Sequence, residues 1–290
     1  MIRPFYLLAG FVLVWPLSAA AEPKEAVKLW ETAGFKNPES AHFDAATGTV
    51  YVSNVNGEPT GKDGNGFLSK MAPDGKVTAL EWVSGLDAPK GIAVSGGKLY
   101  VSDIDKLVEV DIAAGKIFNR FEAKDAKFLN DVAAGADGSI YVSDMATNTI
   151  WRLKDGTFEV FLKDDKLESP NGLLVEGETL LVASWGVMTD GFATKVPGQV
   201  HTVSLKDKTI GPHGEAAPIG NLDGFEPFGD GAYLVSDWMN GNVMRIAPKE
   251  KAKVLLNLGQ GTADLGYDPK TATAFIPQMQ TGVVYGYKVE

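Results

Sequence analysis

Four oxygen-bearing side chains stand at one register of a repeated pattern: Glu39 in "PESAHF", Asn130 in "FLNDVAA", Asn171 in "SPNGLLV" and Asp223 in "NLDGFEP". Two carboxylates and two carboxamides are hard oxygen donors, a set that suits Ca²⁺, whose remaining coordination positions water can fill. Neither His nor Cys occupies this register, which argues against a typical zinc site. The two remaining copies of the pattern carry Lys90 in "APKGIAV" and Ala263 in "GTADLGY". A lysine there would set an ammonium near the cation. Lys90 therefore either bends toward the mouth of the site to meet substrate or takes over part of the metal's charge role. Asn-Gly and Asp-Gly are also ordinary turn pairs; their coincidence at one register gives them a joint meaning.

A cation held by these residues would polarise a carbonyl and acidify a bound water. Asp223 is the first candidate for a carboxylate that both binds metal and handles a proton, and Asp131, beside Asn130, is the second. His42 and His213 are weaker acid/base candidates, since a His in a strand or a Gly-Pro loop is more often structural. No Gly-x-Ser-x-Gly elbow occurs, so no Ser-His-Asp triad can be argued. No Walker or dinucleotide-binding glycine pattern occurs in a strand-to-helix context either.

The elements that must position these residues are short strands. "TVYVSNV" (49–55), "KLYVSDI" (98–104), "SIYVSDM" (139–145), "TLLVASW" (179–185), "AYLVSDW" (232–238) and "TAFIPQM" (273–279) are copies of one text. Aligned on Tyr51, Tyr100, Tyr141, Leu181, Leu234 and Phe275, they are 49, 41, 40, 53 and 41 residues apart. Each copy has an upstream apolar stretch, a turn, and downstream segments such as "NTIWRL" and "GTFEVFL"; helical periodicity is missing. Four strands per copy predict an all-β, six-bladed β-propeller with four-stranded blades. The last copy ends after its third strand, so "EAVKLWETAG" (25–34) is expected to close the last blade and remove an exposed sheet edge. The candidate ring residues lie 10 to 12 positions before each aligned apolar residue, at the start of the innermost strand. In a propeller they would converge at one end of the central channel. The Asp residues of "VSD" (Asp103, Asp144, Asp237) are expected to satisfy backbone groups at strand ends.

Two intervals carry a local surplus. Tyr51 to Leu68 is 17 positions and Leu181 to Val200 is 19, against 9 from Tyr141 to Ile150. "NVNGEPTGKDGNG" and "SWGVMTDGFATKVPGQ" therefore carry 8 and 10 extra residues after a second strand, on the face where the ring lies. Loops so placed on a rigid scaffold often form binding walls, and Trp185, Met188 and Phe192 suit an apolar one.

Bulk properties bound the rest. The first residues, "MIRPFYLLAGFVLVWPLSAAAEP", combine Arg3, an apolar stretch of 13 residues from Phe5 to Leu17, and small residues at Ala19 and Ala21. They read as a signal peptide over 1–21, too short for the roughly 20 apolar residues that cross a bilayer. The remainder, 22–290, is then one exported propeller domain, periplasmic or secreted, with no later membrane span. There are no cysteines, which excludes disulfides, thiolate nucleophiles and Cys-ligated metals. A formal charge of −10 disfavours binding to nucleic acid or anionic lipid. Oligomeric state has no signal in the sequence.

"SPNGLLV" and "LDGFEPFGDGAYLVSDW", with "FLNDVAAGADGSIYVSD" next, resemble the gluconolactonase and senescence-marker-protein family of six-bladed propellers, relatives of diisopropyl fluorophosphatase and paraoxonase. The resemblance covers the whole mature chain. It implies a divalent cation, commonly calcium, on Glu39, Asn171 and Asp223, and on Asn130 in relatives with four side-chain ligands. It also implies hydrolysis of lactones or related small esters. The family's Glu-Gly-Pro-x-Trp is here Glu39-Ser40-Ala41-His42-Phe43, and the arginine of family lactonases is here Phe128. Lys90, Phe128 and Trp185 are accordingly the expected substrate contacts. The general blade text is shared with non-catalytic NHL-type propellers, so the alternative is a periplasmic propeller that binds a protein, peptide or small molecule, its metal structural or absent.

Overall fold

Runs rich in Val, Ile, Tyr and Leu, broken every few residues by Gly- and Asp-containing turns, pair into antiparallel meanders throughout the computed structural model, which describes residues 26–214 and 218–290. The expected signal peptide, 1–21, lies outside the described residues. Strand β1 is Val27–Ala33. It is followed by β2–β5 (Pro38–Asp44, Thr49–Asn54, Gly66–Met71, Val77–Leu86) and β6–β9 (Pro89–Ser95, Lys98–Asp103, Lys106–Asp111, Lys116–Glu122). Next come β10–β13 (Leu129–Ala134, Ile140–Asp144, Thr149–Lys154, Thr157–Lys163). Strands β14–β19 are Pro170–Glu176, Thr179–Ser184, Gly186–Met188, Thr194–Pro197, Val200–Ser204 and Ile210–Pro212. The chain ends with β20–β23 (Leu222–Gly229, Ala232–Asp237, Asn242–Ile246, Lys253–Asn257) and β24–β26 (Asp264–Asp268, Thr273–Gln278, Val283–Lys288). Among the described residues the helical content is one 3₁₀ turn, Asp165–Leu167.

The strands form a propeller-like arrangement of small sheets. Four are four-stranded (β6-β7-β8-β9, β10-β11-β12-β13, β14-β15-β18-β19, β20-β21-β22-β23), and β16 and β17 make a separate hairpin. An eight-stranded sheet has the order β1-β26-β25-β24-β2-β3-β4-β5. Its two halves meet where β2 runs parallel to β24, through only Ser40 opposite Asp264 and Ala41 opposite Leu265.

Strand β1 pairs antiparallel with β26, from Val27 opposite Lys288 to Ala33 opposite Val283. It also fastens to the neighbouring meander: Trp30 Nε1 donates to Pro73 O at 3.0 Å and Thr32 Oγ1 to Gly75 O at 2.7 Å. The first and last strands are thus hydrogen-bonded to each other.

The core lies between sheets. Ala93 and Leu107 pack with Val132, Val142 and Trp151 of the following sheet. Tyr141 and Ile150 pack in turn with Leu173, Leu180 and Val182, and Leu181 and Ala183 with Phe225, Tyr233 and Val235. A side chain such as Val142 or Val182, fully buried, contributes about 1.5–3 kcal/mol. Neither face of an isolated meander could obtain that alone.

Close approach of inner strands toward the axis depends on glycine. A Cβ on Gly172 would lie 1.9 Å from Asp223 O, one on Gly91 2.5 Å from Asp131 Cα, and one on Gly224 2.3 Å from Leu265 N. The Asn171-Gly172 and Asp223-Gly224 pairs, which look like turn formers in the sequence, sit inside β14 and β20. Their glycines let adjacent inner strands touch backbone to backbone.

Candidate metal and substrate site

The innermost strands share an irregularity. The ladder to the second strand breaks between Pro38 and Ala41, Pro89 and Ile92, Leu129 and Val132, Pro170 and Leu173, and Leu222 and Phe225. Glu39, Lys90, Asn130, Asn171 and Asp223 each fall inside such a break. An irregularity of this kind re-aims a side chain. Serines of the second strands replace part of the missing ladder: Ser40 N donates to Ser53 Oγ, Asp131 N to Ser143 Oγ and Gly224 N to Ser236 Oγ, each at 2.9 Å.

Aspartates one residue further on clamp the approach to three of the breaks. Ala88 N donates to Asp103 Oδ1 at 2.7 Å, Phe128 N to Asp144 Oδ1 at 3.0 Å and Asn221 N to Asp237 Oδ1 at 3.2 Å. The "VSD" motif is therefore a positioning device, its Ser and Asp fixing the backbone on both sides of a ring residue. This is the role its aspartates are expected to have from the sequence.

The structure brings Glu39, Asn130, Asn171 and Asp223 into the wall of one cavity of about 300 Å³, with Lys90, Phe128 and Trp185. All seven side chains are buried. Asn171 Nδ2 donates to Leu222 O at 2.9 Å and to Asp223 Oδ1 at 3.1 Å. That leaves Asn171 Oδ1 buried without a partner, and Glu39 Oε2 is in the same state. Asn130 Nδ2 reaches only a sulfur, Met145 Sδ, at 3.8 Å. Both insertions border the cavity, the first through Val55, Gly57 and Pro59, the second through Trp185 and Phe192. The second is not a bare loop but carries the β16–β17 hairpin, with Gly186 opposite Pro197 and Met188 opposite Thr194.

The electrostatics follow from burial. Burial, then the neighbouring Asp223 and Asp264, push the Glu39 carboxyl well above the usual carboxylate range, Lys90 acting in the opposite sense. Burial, then Asp264, raise Asp223 likewise, against the Asn171 hydrogen bond. Lys90 is only 2% exposed. Burial lowers its ammonium to about 8, opposed by Glu39 and Asp103. Its Nζ donates to Pro59 O at 3.0 Å and Ala88 O at 2.9 Å, and lies 4.6 Å from the Phe128 ring centroid. Lys90 therefore bends to the insertion side of the cavity.

Three candidates are not brought into this cavity. Asp131 faces a second cavity, of about 230 Å³, which His42 also lines. The Asp131 carboxylate accepts from Leu173 N at 2.6 Å and Val132 N at 2.7 Å, tying two inner strands together. Side chains alternate along a strand, so the residue after Asn130 points the other way; Asp131 is not brought together with the four ring donors. His213 packs edge-on against Tyr233 at 5.1 Å between centroids, away from both cavities. Ala263 donates its N–H to Pro277 O and supplies no ligand.

The sequence pattern also passed over Asp264 and Glu226, which join Asp131 and His42 in the second cavity. Burial raises Asp264 to about 7, against a 2.5 Å hydrogen bond from Ser40 Oγ, and burial with Asp264 raises Glu226 to about 8. Their signal was the period of two: Asp131 and Asp264 stand one residue after a ring position, and His42 and Glu226 three after. Among the described residues no group of three His, Cys, Asp or Glu is placed to hold a metal. A site at the first cavity must therefore count its two carboxamides.

Solved structures share this architecture. A gluconolactonase from Xanthomonas campestris superposes with a TM-score of 0.67 at 16% identity, over 91% of this chain and 89% of that one. A putative gluconolactonase gives 0.64 at 19%, over 93% of each chain. A catalytically inactive virginiamycin B lyase from Staphylococcus aureus, solved with quinupristin, gives 0.60 at 12%, over 92% of this chain and 100% of that one. The chain has a gluconolactonase-like propeller fold. No family model and no curated protein matches the sequence. At these identities the likeness is one of fold, so the chemistry of this gluconolactonase-like propeller has to be argued from its own side chains. No helix among the described residues is long and apolar enough to cross a membrane.

Proposed function

We propose that the protein is a metal-dependent hydrolase of lactones or small esters, built on a six-bladed propeller and exported by its leader. The blade count rests on dividing the eight-stranded sheet at its two-pair junction between β2 and β24. It also rests on core clusters that continue round the ring, Leu234 with Ile276 and then Phe275 with Val52.

The observation that carries the metal is the pair of orphaned acceptors, Glu39 Oε2 and Asn171 Oδ1, buried in the wall that Asp223 and Asn130 also line. A buried acceptor without a donor costs about 1–3 kcal/mol, which a cation would remove. Hard oxygen donors of mixed charge select Ca²⁺. When bound, such an ion polarises a carbonyl and acidifies a water.

The chain's own residues do the rest. Asn171 holds Asp223 through the 3.1 Å hydrogen bond, which fixes the carboxylate that takes the water's proton. The water oxygen bonds to the carbonyl carbon, the acyl C–O bond breaks, and the proton passes to the leaving oxygen. Lys90 has three N–H donors, two given to Pro59 and Ala88. The third is available to a substrate oxygen on the insertion side. Metal content of purified protein, measured with a lactone and ester panel, tests the reading. Retained calcium with turnover abolished by Asp223→Ala supports it; calcium-free protein, or calcium with no turnover, overturns it.

One observation favours the non-catalytic alternative. Lys90 already puts a positive charge beside Glu39, so a metal-free pocket that only binds a ligand is electrostatically tenable. The same metal analysis separates the two.

A further inference from the structure

Above the polar ring stands a second ring with a different chemistry. The residue that follows each second strand is Val55, Ile104, Met145, Trp185, Trp238 and Met279, apolar in every copy. Five of these backbones are fixed by the strand entry beside them: Val55 N donates to Asn37 O, Met145 N to Phe128 O, Trp185 N to Ser169 O, Trp238 N to Asn221 O and Met279 N to Gly261 O. Five of the six line the cavity that holds the four oxygen donors.

One arc of the collar is continuous and presents no free donors. Phe128 meets Phe192 edge-on at 5.4 Å, Trp185 meets Phe192 at 6.2 Å, and Trp185 meets Trp238 at 6.0 Å. Both indole N–H groups are already used, Trp185 Nε1 on Phe192 O at 2.9 Å and Trp238 Nε1 on Met279 Sδ at 3.2 Å. What faces the cavity is therefore ring and thioether surface. The polar groups are confined to the floor, to Lys90, and to Asn37 and Gln280 at the edge. A sugar-type lactone would set its hydroxyls against walls that cannot pair them, whereas an alkyl or aryl group gains by burial there.

We propose that the cavity selects an apolar lactone or ester, its alkyl or aryl group packed on Phe128, Trp185 and Trp238 and its carbonyl on the oxygen floor, over a polyhydroxylated lactone. This deepens the hydrolase reading and rests on it for the fate of the carbonyl. The selectivity itself belongs to the collar and is measured separately.

Two non-hydrolysable δ-lactams of matched ring, one alkyl-substituted and one polyhydroxylated, are titrated calorimetrically into calcium-loaded full-length protein. The alkyl lactam is expected to bind at least ~30-fold more tightly. Trp185→Ala and Trp238→Ala should each cut that preference at least ~10-fold; the wild-type pair still decides the matter should either variant fail to fold. Equal or tighter binding of the polyhydroxylated lactam, or binding of neither, overturns the proposal. In parallel, the corresponding lactones are assayed for turnover. Alkyl preference without turnover of any lactone supports the collar and removes the hydrolase reading. Preferred turnover of the polyhydroxylated lactone keeps the hydrolase and removes the collar's selectivity.

Discussion

The Lys90 ammonium sits 4.6 Å from the centroid of the Phe128 ring while giving two of its protons to backbone carbonyls. A desolvated cation over an aromatic face is stabilised by the ring quadrupole, and here the contact also keeps the charge off the centre of the oxygen floor. Lys90→Met removes a like charge from beside the proposed cation. It is expected to tighten calcium binding about tenfold, read by calorimetric titration at low ionic strength. Unchanged or weaker affinity would mean that Lys90 does not oppose the metal.

Calcium should stabilise the fold by mass action. At a hundred times Kd the gain is about 2.7 kcal/mol, or a rise of about 5–10 °C in Tm for a chain of this size. Glu39→Gln and Asp223→Asn are expected to abolish that rise while leaving the metal-free Tm no lower than wild type, because each removes a buried carboxylate held above its usual range. Differential scanning calorimetry with calcium and with chelator checks both halves.

Gly172→Ala places a methyl 1.9 Å from Asp223 O in the next inner strand. Backbone cannot yield as a side-chain tip does, so a loss of about 3 kcal/mol in denaturant unfolding is expected. Since Gly172 sits between Asn171 and the strand that carries Asp223, calcium affinity should fall with it. An exposed control, Gly177→Ala, meets nothing within 4 Å and should leave the metal affinity untouched.

The second cavity contributes to the pH dependence of the metal-free protein, in the same sense as the raised carboxyls Glu39 and Asp223 of the first. Glu226 titrates at about 8 in the fold against 4.5 as its ordinary value, and Asp264 at about 7 against 3.8. The folded state therefore holds more protons than the unfolded chain between those values, and stability falls as pH rises through them. His42, lowered to about 4 from 6.5, acts oppositely, costing stability as pH falls below 6.5. From pH 6.5 to 7.5 the carboxyl effect dominates, since Lys90, lowered to about 8, opposes it only above that range, so Tm should drop across it. Glu226→Gln should flatten that drop. An equally steep profile in the variant would remove Glu226 as its source.

Much of this was legible from spacing. The interval of about 40 residues located the inner strands, and the residue types near their starts, Glu39, Asn130, Asn171 and Asp223, pointed to four side chains that share the wall of one cavity. What spacing could not give was direction inside the break. Asn130 and Asp131 are neighbours in the chain, yet one lines the first cavity and the other the second. Only the period of two separates them. The apolar collar was visible as the last residue of every copy but carried no chemical type to draw notice. Lys90 was ambiguous for a physical reason: its long stem lets the charge sit wherever acceptors are, and Pro59 belongs to an insertion remote in sequence.

Strand β1 has no partner of its own until residues 283–288 exist, because the sheet it completes is made from the far end of the chain. Trp30 and Thr32 can meet Pro73 and Gly75 once the neighbouring meander forms, but the ladder of β1 waits for β26. Pairing of β1 with β26 thus joins segments from the two ends of the described sequence and is a long-range step in folding. Tethering or trimming those last strands should leave an open, edge-exposed arc rather than a smaller propeller.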